Sequence, residues 1–117
     1  MTYRKEVTLK MKYTEIFKLK KMLEDAKIPF VFDDRSNPKY EYYQIDYPAL
    51  LPYEKRVCSV IQGNGTYGNI DNKLEIMGLL TNREKQYDDV LGWLSAEDVF
   101  KRIESHYRGE GNEVLTQ

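Results

Sequence analysis

The segment from Ser95 to Gly109 carries the strongest local structure signal in this sequence, and it predicts an amphipathic helix. Ser95 is a preferred N-cap residue, and Asp98 stands three positions later, where its carboxylate closes a capping box. Gly109 suits the left-handed position just past a helix. Between them, apolar side chains recur with a helical period at Ala96, Val99, Phe100, Ile103 and Tyr107. Because such a helix must cover another surface, the rest of the chain has to supply one.

Short segments of alternating apolar and polar residues predict that this surface is a β-sheet. We expect strands at residues 30–33, 39–47, 56–62, 73–80 and 90–94. A helical spacing is also present in the fourth segment, but Gly78 favours a strand there. Asn64-Gly65 is typical of a two-residue hairpin turn, which predicts a short returning strand at 66–70. Residues 81–89 are interpreted as a charged loop.

A second amphipathic helix is predicted near the start of the chain, from Thr14 as its N-cap to about Lys27. Pro29 ends it, and its inner stripe consists of Ile16, Leu19, Leu23 and Ala26. Consecutive strands joined by short turns pair antiparallel. The predicted fold class is therefore α+β: a two-layer domain in which an antiparallel sheet of four to five strands is flanked by an N-terminal and a C-terminal helix.

The predicted domain spans residues 11–108, with an N-terminal extension at 1–10 and a flexible C-terminal tail at 109–117. Residues 6–13 alternate in a way that suits either a strand or a loose arm. The segment 48–52 begins and ends with proline, which cannot donate a ladder hydrogen bond, so a loop is expected there.

Bulk composition indicates one soluble globular domain. The chain has 117 residues, of which 41% are hydrophobic and 32% charged. No run approaches the ~20 apolar residues that cross a bilayer, so no membrane association is expected. Cys58 is the only cysteine, which excludes an internal disulfide. Together with a charged N-terminus that does not resemble a signal peptide, this predicts a cytoplasmic protein.

The chain offers no convincing catalytic, cofactor or metal-binding constellation. Residues 63–68 (GNGTYG) match the spacing of a dinucleotide fingerprint, but no clear helix follows them, so a glycine-rich turn is predicted. His106 is the only histidine and is expected to lie at a helix end, where a cation is favoured. The nearest approach to a metal-dependent nuclease site is Asp46 with Glu54-Lys55, which are interpreted as surface residues. We therefore predict a protein that is not an enzyme.

Ten tyrosines are many for this length, and four of them lie within residues 39–47. Tyrosine packs cores, anchors protein interfaces and stacks on unpaired bases, so all three roles stay open. The predicted protein-binding surface combines that strand with the loop at 81–89, and its members are Tyr40, Tyr42, Tyr43, Asp46, Asp88 and Asp89.

Charge is unevenly distributed along the chain. Residues 1–27 hold eight basic and four acidic side chains, whereas residues 61–117 hold six basic and ten acidic ones. A basic first helix can contact phosphate groups, which makes nucleic-acid binding the alternative function. Its candidate residues are Lys12, Lys18, Lys20 and Lys21.

Four segments carry a resemblance to a known group of proteins: 11–24 (MKYTEIFKLKKMLE), 65–68 (GTYG), 74–81 (LEIMGLLT) and 90–103 (VLGWLSAEDVFKRI). They look like segments of small uncharacterised proteins encoded by phages and prophages of low-GC Gram-positive bacteria. The resemblance brings no catalytic residue. It implies an accessory protein of the anti-defence or anti-CRISPR kind that inhibits a host protein by binding it, and this is our leading hypothesis.

Overall fold

The structure, a computed structural model, describes residues 12–49 and 56–109 and the backbone of residues 115–116. Its helices are α1 (Glu15–Asp25), α2 (Asn82–Lys85) and α3 (Ala96–Arg108). Its strands are β1 (Val31–Asp34), β2 (Tyr42–Tyr47), β3 (Cys58–Gly63), β4 (Leu74–Met77), β5 (Leu80–Thr81), β6 (Val90–Leu94) and β7 (Leu115–Thr116). A 3₁₀ helix at Asn69–Asp71 lies between β3 and β4. No helix in the described ranges combines the length and apolar character that a membrane span requires.

Several predicted boundaries lie outside the described residues. These are the extension at 1–10, nearly all of the segment 6–13, and most of the loop at 48–52. Most of the predicted tail at 109–117 lies outside them as well. Of that tail the structure describes Gly109 and the backbone of β7, which pairs antiparallel with β5.

Five strands form one antiparallel sheet in the order β1-β2-β3-β4-β6. Strands that are adjacent in this sheet follow one another along the chain, apart from the short excursion through β5 and α2 between β4 and β6. The predicted α+β class with an antiparallel sheet and terminal helices is thereby confirmed. Each of the five predicted strand positions is occupied, with ends shifted by a few residues.

Helices α1 and α3 pack against each other and against one face of the sheet, and the core lies between these two layers. The inner stripes predicted for both helices face the core, although Ala26 and Phe100 are half-buried and Tyr107 is 47% exposed. The core therefore ends one turn before the apolar stripe of α3 does. Burying each large aliphatic side chain contributes about 1.5–3 kcal/mol, and the fully buried ones include Ile16, Leu19, Leu23, Ile45, Val60, Leu74, Ile76, Val99 and Ile103.

A fully buried amide, Gln62 on β3, holds the N-terminus of α1 against the sheet. Its Oε1 accepts a hydrogen bond from the Ile16 N–H at 2.9 Å, and its Nε2 donates to Oδ1 of Asn72 at 2.7 Å. The same Asn72 oxygen accepts from the Thr14 N–H at 3.0 Å. Thr14 occupies the predicted N-cap position, but its side chain does not cap α1, and its hydroxyl instead accepts a hydrogen bond from Asn72 Nδ2. Two carboxamides from distant segments cap the helix instead.

The capping box predicted for α3 is confirmed. The Asp98 N–H donates to Ser95 Oγ at 3.0 Å, and the Ser95 N–H donates to Asp98 Oδ2 at 3.4 Å. Glu15 of α1 adds a third contact, because its Oε2 accepts from the Ala96 N–H at 2.8 Å. The first turns of the two helices are therefore joined. At the other end, Gly109 adopts the expected left-handed conformation, with φ of 68°.

The prediction of a loop over residues 81–89 is wrong for its first half, because Thr81 and Glu84 form a second capping box that begins α2. The Glu84 N–H donates to Thr81 Oγ1 at 3.2 Å, and the Thr81 N–H donates to Glu84 Oε1 at 2.9 Å. The Glu84 carboxylate also accepts two hydrogen bonds from Arg102 of α3, at 2.8 and 2.7 Å. Arg102 donates further to the Leu79 carbonyl at 2.8 Å, so this ion pair joins α2, α3 and the turn before β5.

The hairpin predicted at Asn64-Gly65 and the returning strand at 66–70 are wrong. The Thr66 N–H donates to the Gly63 carbonyl at 3.1 Å, which closes a single turn with Gly65 at φ 88°. The chain then continues through the 3₁₀ helix instead of pairing. Gly68 and Asn72 have φ of 92° and 56°, and this left-handed backbone is incompatible with a strand.

Replacing Gln62 by Met is expected to destabilise the fold by about 1–3 kcal/mol, because it leaves the buried Ile16 N–H without a hydrogen-bond acceptor. The matched control is Gln44→Met on the adjacent strand, where the side chain is half-buried and its Nε2 donates to Asp46 Oδ1 at 2.9 Å. That change is expected to stay within about 0.5 kcal/mol. Urea denaturation compares the two variants. Equal losses would show that the Gln62 network does not hold α1.

The ion pair between Glu84 and Arg102 is expected to make an acid-sensitive contribution to the free energy of unfolding. The hydrogen bonds from Arg102 are the largest cause that lowers its pKa from 4.5 to about 2. Because the folded-state pKa is depressed, the stabilisation is complete above about pH 4.5 and is lost as the pH falls towards 2. The Glu84→Gln variant is therefore expected to be less stable than the wild type by about 1–3 kcal/mol at neutral pH. Its free energy of unfolding should fall less than that of the wild type on acidification.

The control for Glu84 is Glu24→Gln, which breaks an exposed pair with Lys20 on α1. Exposed pairs of this spacing contribute about 0.3–0.5 kcal/mol. Thermal unfolding followed between pH 2 and 7 distinguishes the two. A Glu84 variant that matches the Glu24 variant at every pH would contradict the structural role of the Arg102 pair.

Candidate functional site

The face of the sheet opposite the helices, here called the open face, presents side chains that are not part of the core. Along β2, β3 and β4 these outward residues alternate with core residues and are aligned by the cross-strand register. Two rows cross this face, and their members are half-buried or exposed: Asp46, Ser59 and Met77, then Gln44, Ile61 and Glu75.

A β-bulge in β6 turns Trp93 towards the open face. On β4 a single residue, Glu75, separates two paired positions, whereas the same interval on β6 holds two residues, Gly92 and Trp93. A bulge of this kind re-aims a side chain. Trp93 is 60% exposed and has φ of 59°, a left-handed conformation that is uncommon for a bulky residue. Backbone strain of this sort is concentrated at functional sites.

Tyr67 reaches the same place from the loop between β3 and β4 and stacks on Trp93. The two ring centroids are 6.2 Å apart and the ring planes differ by 15°. The Tyr67 side chain lies directly over Gly92, where any Cβ would collide with it, so the packing requires glycine at this position. Tyr67 is itself 48% exposed. The stacked pair is therefore held in place and still accessible.

Two carboxylates flank the stacked rings. Asp71 Oδ2 accepts a hydrogen bond from the indole Nε1 of Trp93 at 3.1 Å, and Glu75 Oε1 accepts from the backbone N–H of Tyr67 at 2.8 Å. Ile70, next to Asp71 on the 3₁₀ helix, is almost fully exposed. Asp71 thus holds the indole ring, Glu75 holds the backbone of Tyr67, and both place negative charge beside the stacked rings.

Tyr42 extends this cluster across the sheet. Its ring lies over Gly63 on β3, where an added Cβ would meet ring carbon Cδ2 at 3.1 Å. Desolvation, followed by the nearby Glu75 carboxylate, raises the pKa of its hydroxyl. We call the set that shares this end of the open face the aromatic–acidic patch: Tyr42, Tyr67, Asp71, Glu75 and Trp93.

The structure separates the tyrosines predicted as contact residues. Tyr42 belongs to the patch, and Tyr40 is exposed beside it. Tyr43 is wrong as a surface residue, because strand alternation turns it into the core, where it is 1% exposed. Its hydroxyl donates to Glu41 Oε2 at 2.8 Å, its ring packs on Phe17, and burial raises its pKa to about 12.

The predicted aspartates lie at the other end of the sheet. Asp46 is four residues along β2 from Tyr42, a distance of about 13 Å, and pairs with Arg56 at 3.3 Å. Asp88 Oδ1 accepts from the Asp89 N–H at 2.6 Å, which shapes the turn before β6. Asp89 lines a depression of about 370 Å³ at that end. These three residues do not join the patch.

The basic helix face proposed for nucleic acid is largely neutralised by acids. Three of its lysines form ion pairs: Lys18 with Glu97, Lys20 with Glu24 and Lys21 with Asp25. Lys12 lies over the Tyr13 ring, with its ammonium 5.3 Å from the ring centroid. A phosphate-binding surface presents a continuous basic stripe, whereas here positive and negative side chains alternate.

Cys58, His106 and the glycine-rich turn at residues 63–68 are each part of the fold and form no reactive site within the described residues. Cys58 is buried, and desolvation raises its pKa to about 12, so the thiol stays protonated. His106 Nδ1 lies 2.8 Å from the Tyr47 hydroxyl near the end of α3. Residues 63–68 precede only a three-residue 3₁₀ helix. Within the described ranges, no three His, Cys, Asp or Glu residues are grouped so that they could hold a metal ion.

Comparison of the chain with protein-family models, with curated proteins and with solved structures found no match. The resemblance to small phage and prophage proteins therefore stays a prediction.

Sequence reasoning found Tyr42 but missed the rest of the aromatic–acidic patch. Tyr67 lies in the segment 66–70, for which the sequence predicts a strand, Asp71 follows that segment, and Trp93 lies in the predicted strand at 90–94. One signal was available: the single tryptophan of the chain follows a glycine in a short strand, Gly92-Trp93. Glycine inside a strand pattern suggests a bulge or a close approach by another segment.

The left-handed backbone at Trp93 can be tested with small substitutions. Trp93→Gly is expected to be more stable than Trp93→Ala by about 1 kcal/mol, because only glycine adopts this φ without strain. Met77 supplies the control, since it is 50% exposed on the neighbouring strand and has no positive φ. There the order should reverse, with Gly less stable than Ala by about 0.5–1 kcal/mol. The same order at both positions in urea denaturation would rule out a strained Trp93.

Proposed function

We propose that this protein is a non-enzymatic binding module that docks a partner protein on the aromatic–acidic patch. The observation that carries the proposal is the exposed Trp93, which is held in a strained backbone conformation and stacked on Tyr67. Tryptophan and tyrosine are the residues that most often dominate the energy of protein interfaces. A large exposed aromatic held at an energetic cost is best explained by a contact outside the fold.

The rigidity of the patch supports tight binding. Trp93 is fixed by the bulge, by its stack on Tyr67 and by the hydrogen bond to Asp71. Tyr67 is fixed by its contact with Gly92 and by the bond from its N–H to Glu75. Side chains that are ordered before association lose little conformational entropy on binding, so more of the contact energy appears as affinity.

The charges of the patch favour protein over nucleic acid. Asp71 and Glu75 border the exposed rings, and carboxylates at that position repel a phosphate backbone. Base stacking on Trp93 would bring the nucleic acid towards both of them. The lysines of α1 lie in the helical layer and are paired with acids there.

The resemblance of residues 11–108 to small phage and prophage proteins supports a bacterial host protein as the partner. A binder of this size inhibits stoichiometrically, by occupying a surface that the host protein needs. An anti-defence role, including one directed at a CRISPR effector, follows from the same resemblance and extends the proposal to the cytoplasm of the host.

The test is capture from a nuclease-treated bacterial lysate, identification of the retained protein, and measurement of its affinity for purified variants. Tyr67→Ala combined with Trp93→Ala is expected to weaken binding about a hundredfold, because two interface anchors are removed. The control is Tyr107→Ala on α3, whose exposure of 47% matches the 48% of Tyr67. Its affinity should stay within about threefold of the wild type.

A partner that binds the double variant as tightly as the wild type would refute the patch as the docking site. Recovery of nucleic acid instead of protein, with binding that declines steeply as salt increases, would move the function to the lysines of α1.

A further inference from the structure

The two carboxylates of the aromatic–acidic patch each have one oxygen that accepts no hydrogen bond within the described residues. Asp71 uses Oδ2 to bond the indole of Trp93, and Glu75 uses Oε1 to bond the Tyr67 N–H. Within residues 12–49 and 56–109, neither carboxylate forms an ion pair. Each can therefore accept a hydrogen bond from a cationic donor without breaking the contact that orients its ring.

Two other acids of the open face differ in this respect. Asp33 pairs with Arg35 at 2.9 Å, and Asp46 pairs with Arg56 at 3.3 Å, so these charges are offset. Asp71 and Glu75, which lie beside Trp93 and Tyr67, are in no such ion pair in the part of the chain that the structure describes. Lys73, which lies between them in the sequence, adds one positive charge nearby. An exposed indole ring attracts a cation through its quadrupole, and the neighbouring carboxylates add to that attraction.

This charge selects among partners. A second copy of the chain that docked patch to patch would bring the same two carboxylates near each other, which is unfavourable. A basic segment of another protein matches the charge instead. A planar guanidinium stacks on an aromatic face while its N–H groups donate in the plane to carboxylates, which a lysine ammonium cannot do.

We infer that the patch recognises an arginine side chain of a basic segment on the partner protein. The guanidinium lies on the exposed face of the Trp93 ring and donates hydrogen bonds to the carboxylates of Asp71 and Glu75. This assignment rests on the proposed function, since it specifies the chemistry of the partner that the patch binds. It makes the association dependent on salt and selective for arginine.

The probe is a tetra-arginine peptide with blocked ends, and the readout is the fluorescence of Trp93, the single tryptophan of the chain. We expect a saturable change that a tetra-citrulline peptide does not produce, because citrulline keeps the shape but lacks the charge. A tetra-lysine peptide is expected to bind about threefold to tenfold more weakly, because it loses the stacking of the guanidinium.

The variant that tests the carboxylates is Asp71→Asn combined with Glu75→Gln. Both amides still accept the hydrogen bonds from Trp93 and Tyr67, so the rings stay oriented while the charge is removed. Affinity for tetra-arginine should decline about tenfold. The control, Asp25→Asn with Glu104→Gln, removes two charges from the helical layer and should leave the affinity within about twofold.

Equal responses to the arginine and citrulline peptides would overturn the inference, as would equal affinities of the two double variants or no response to tetra-arginine at millimolar concentration. The host partner separates this failure from that of the proposed function. If the partner is lost by the Tyr67 and Trp93 variant but retained by the amide variant, docking on the patch stands and the arginine assignment fails. If neither variant loses the partner, the proposed function itself fails.

Discussion

The arrangement of this fold depends on the hydrogen bonds of one buried side chain, Gln62. It lies on the inner face of β3, where its neighbours along the strand are apolar. An amide buried there without partners costs about 1–3 kcal/mol, so the Ile16 N–H and the Asn72 carboxamide must both be in place. Those two partners belong to the first turn of α1 and to the loop between β3 and β4. One interaction thereby holds a helix end and a long loop at the same end of the sheet.

The position of the aromatic–acidic patch follows from that constraint. Asn72 ends the 3₁₀ turn that carries Asp71, so the anchoring of Asn72 also places Asp71 beside the indole. The bulge in β6 supplies the other half, because it directs Trp93 to the same face as Glu75. Neither element produces the patch alone. A loop held from inside the core and an irregular edge strand meet there, which explains why the exposed rings are ordered.

The charge distribution then distinguishes two ends of the open face. At one end Asp46 is offset by Arg56, and at the other Asp71 and Glu75 are in no ion pair within the described part of the chain. An exposed aromatic stack beside two carboxylates without an ion pair suits a partner that is both apolar and cationic. The helical layer behaves differently, since its lysines and acids pair with each other and produce no uniform field.

Local sequence determined the elements whose signals are short-range. The Ser95 capping box, the apolar stripes of α1 and α3 and the alternation in β2 and β3 each require only neighbouring residues, and each was predictable. The Thr81 capping box had the same kind of signal but was missed among charged residues. Tertiary structure alone decided the rest. The first turn of α1 is capped by Asn72, 58 residues from Thr14, and not by the Thr14 side chain. The patch brings together Tyr42, Tyr67 and Trp93 from three separate segments. No local sequence pattern encodes such contacts, because hydrogen bonds and ring stacking between distant segments form only when the chain is folded.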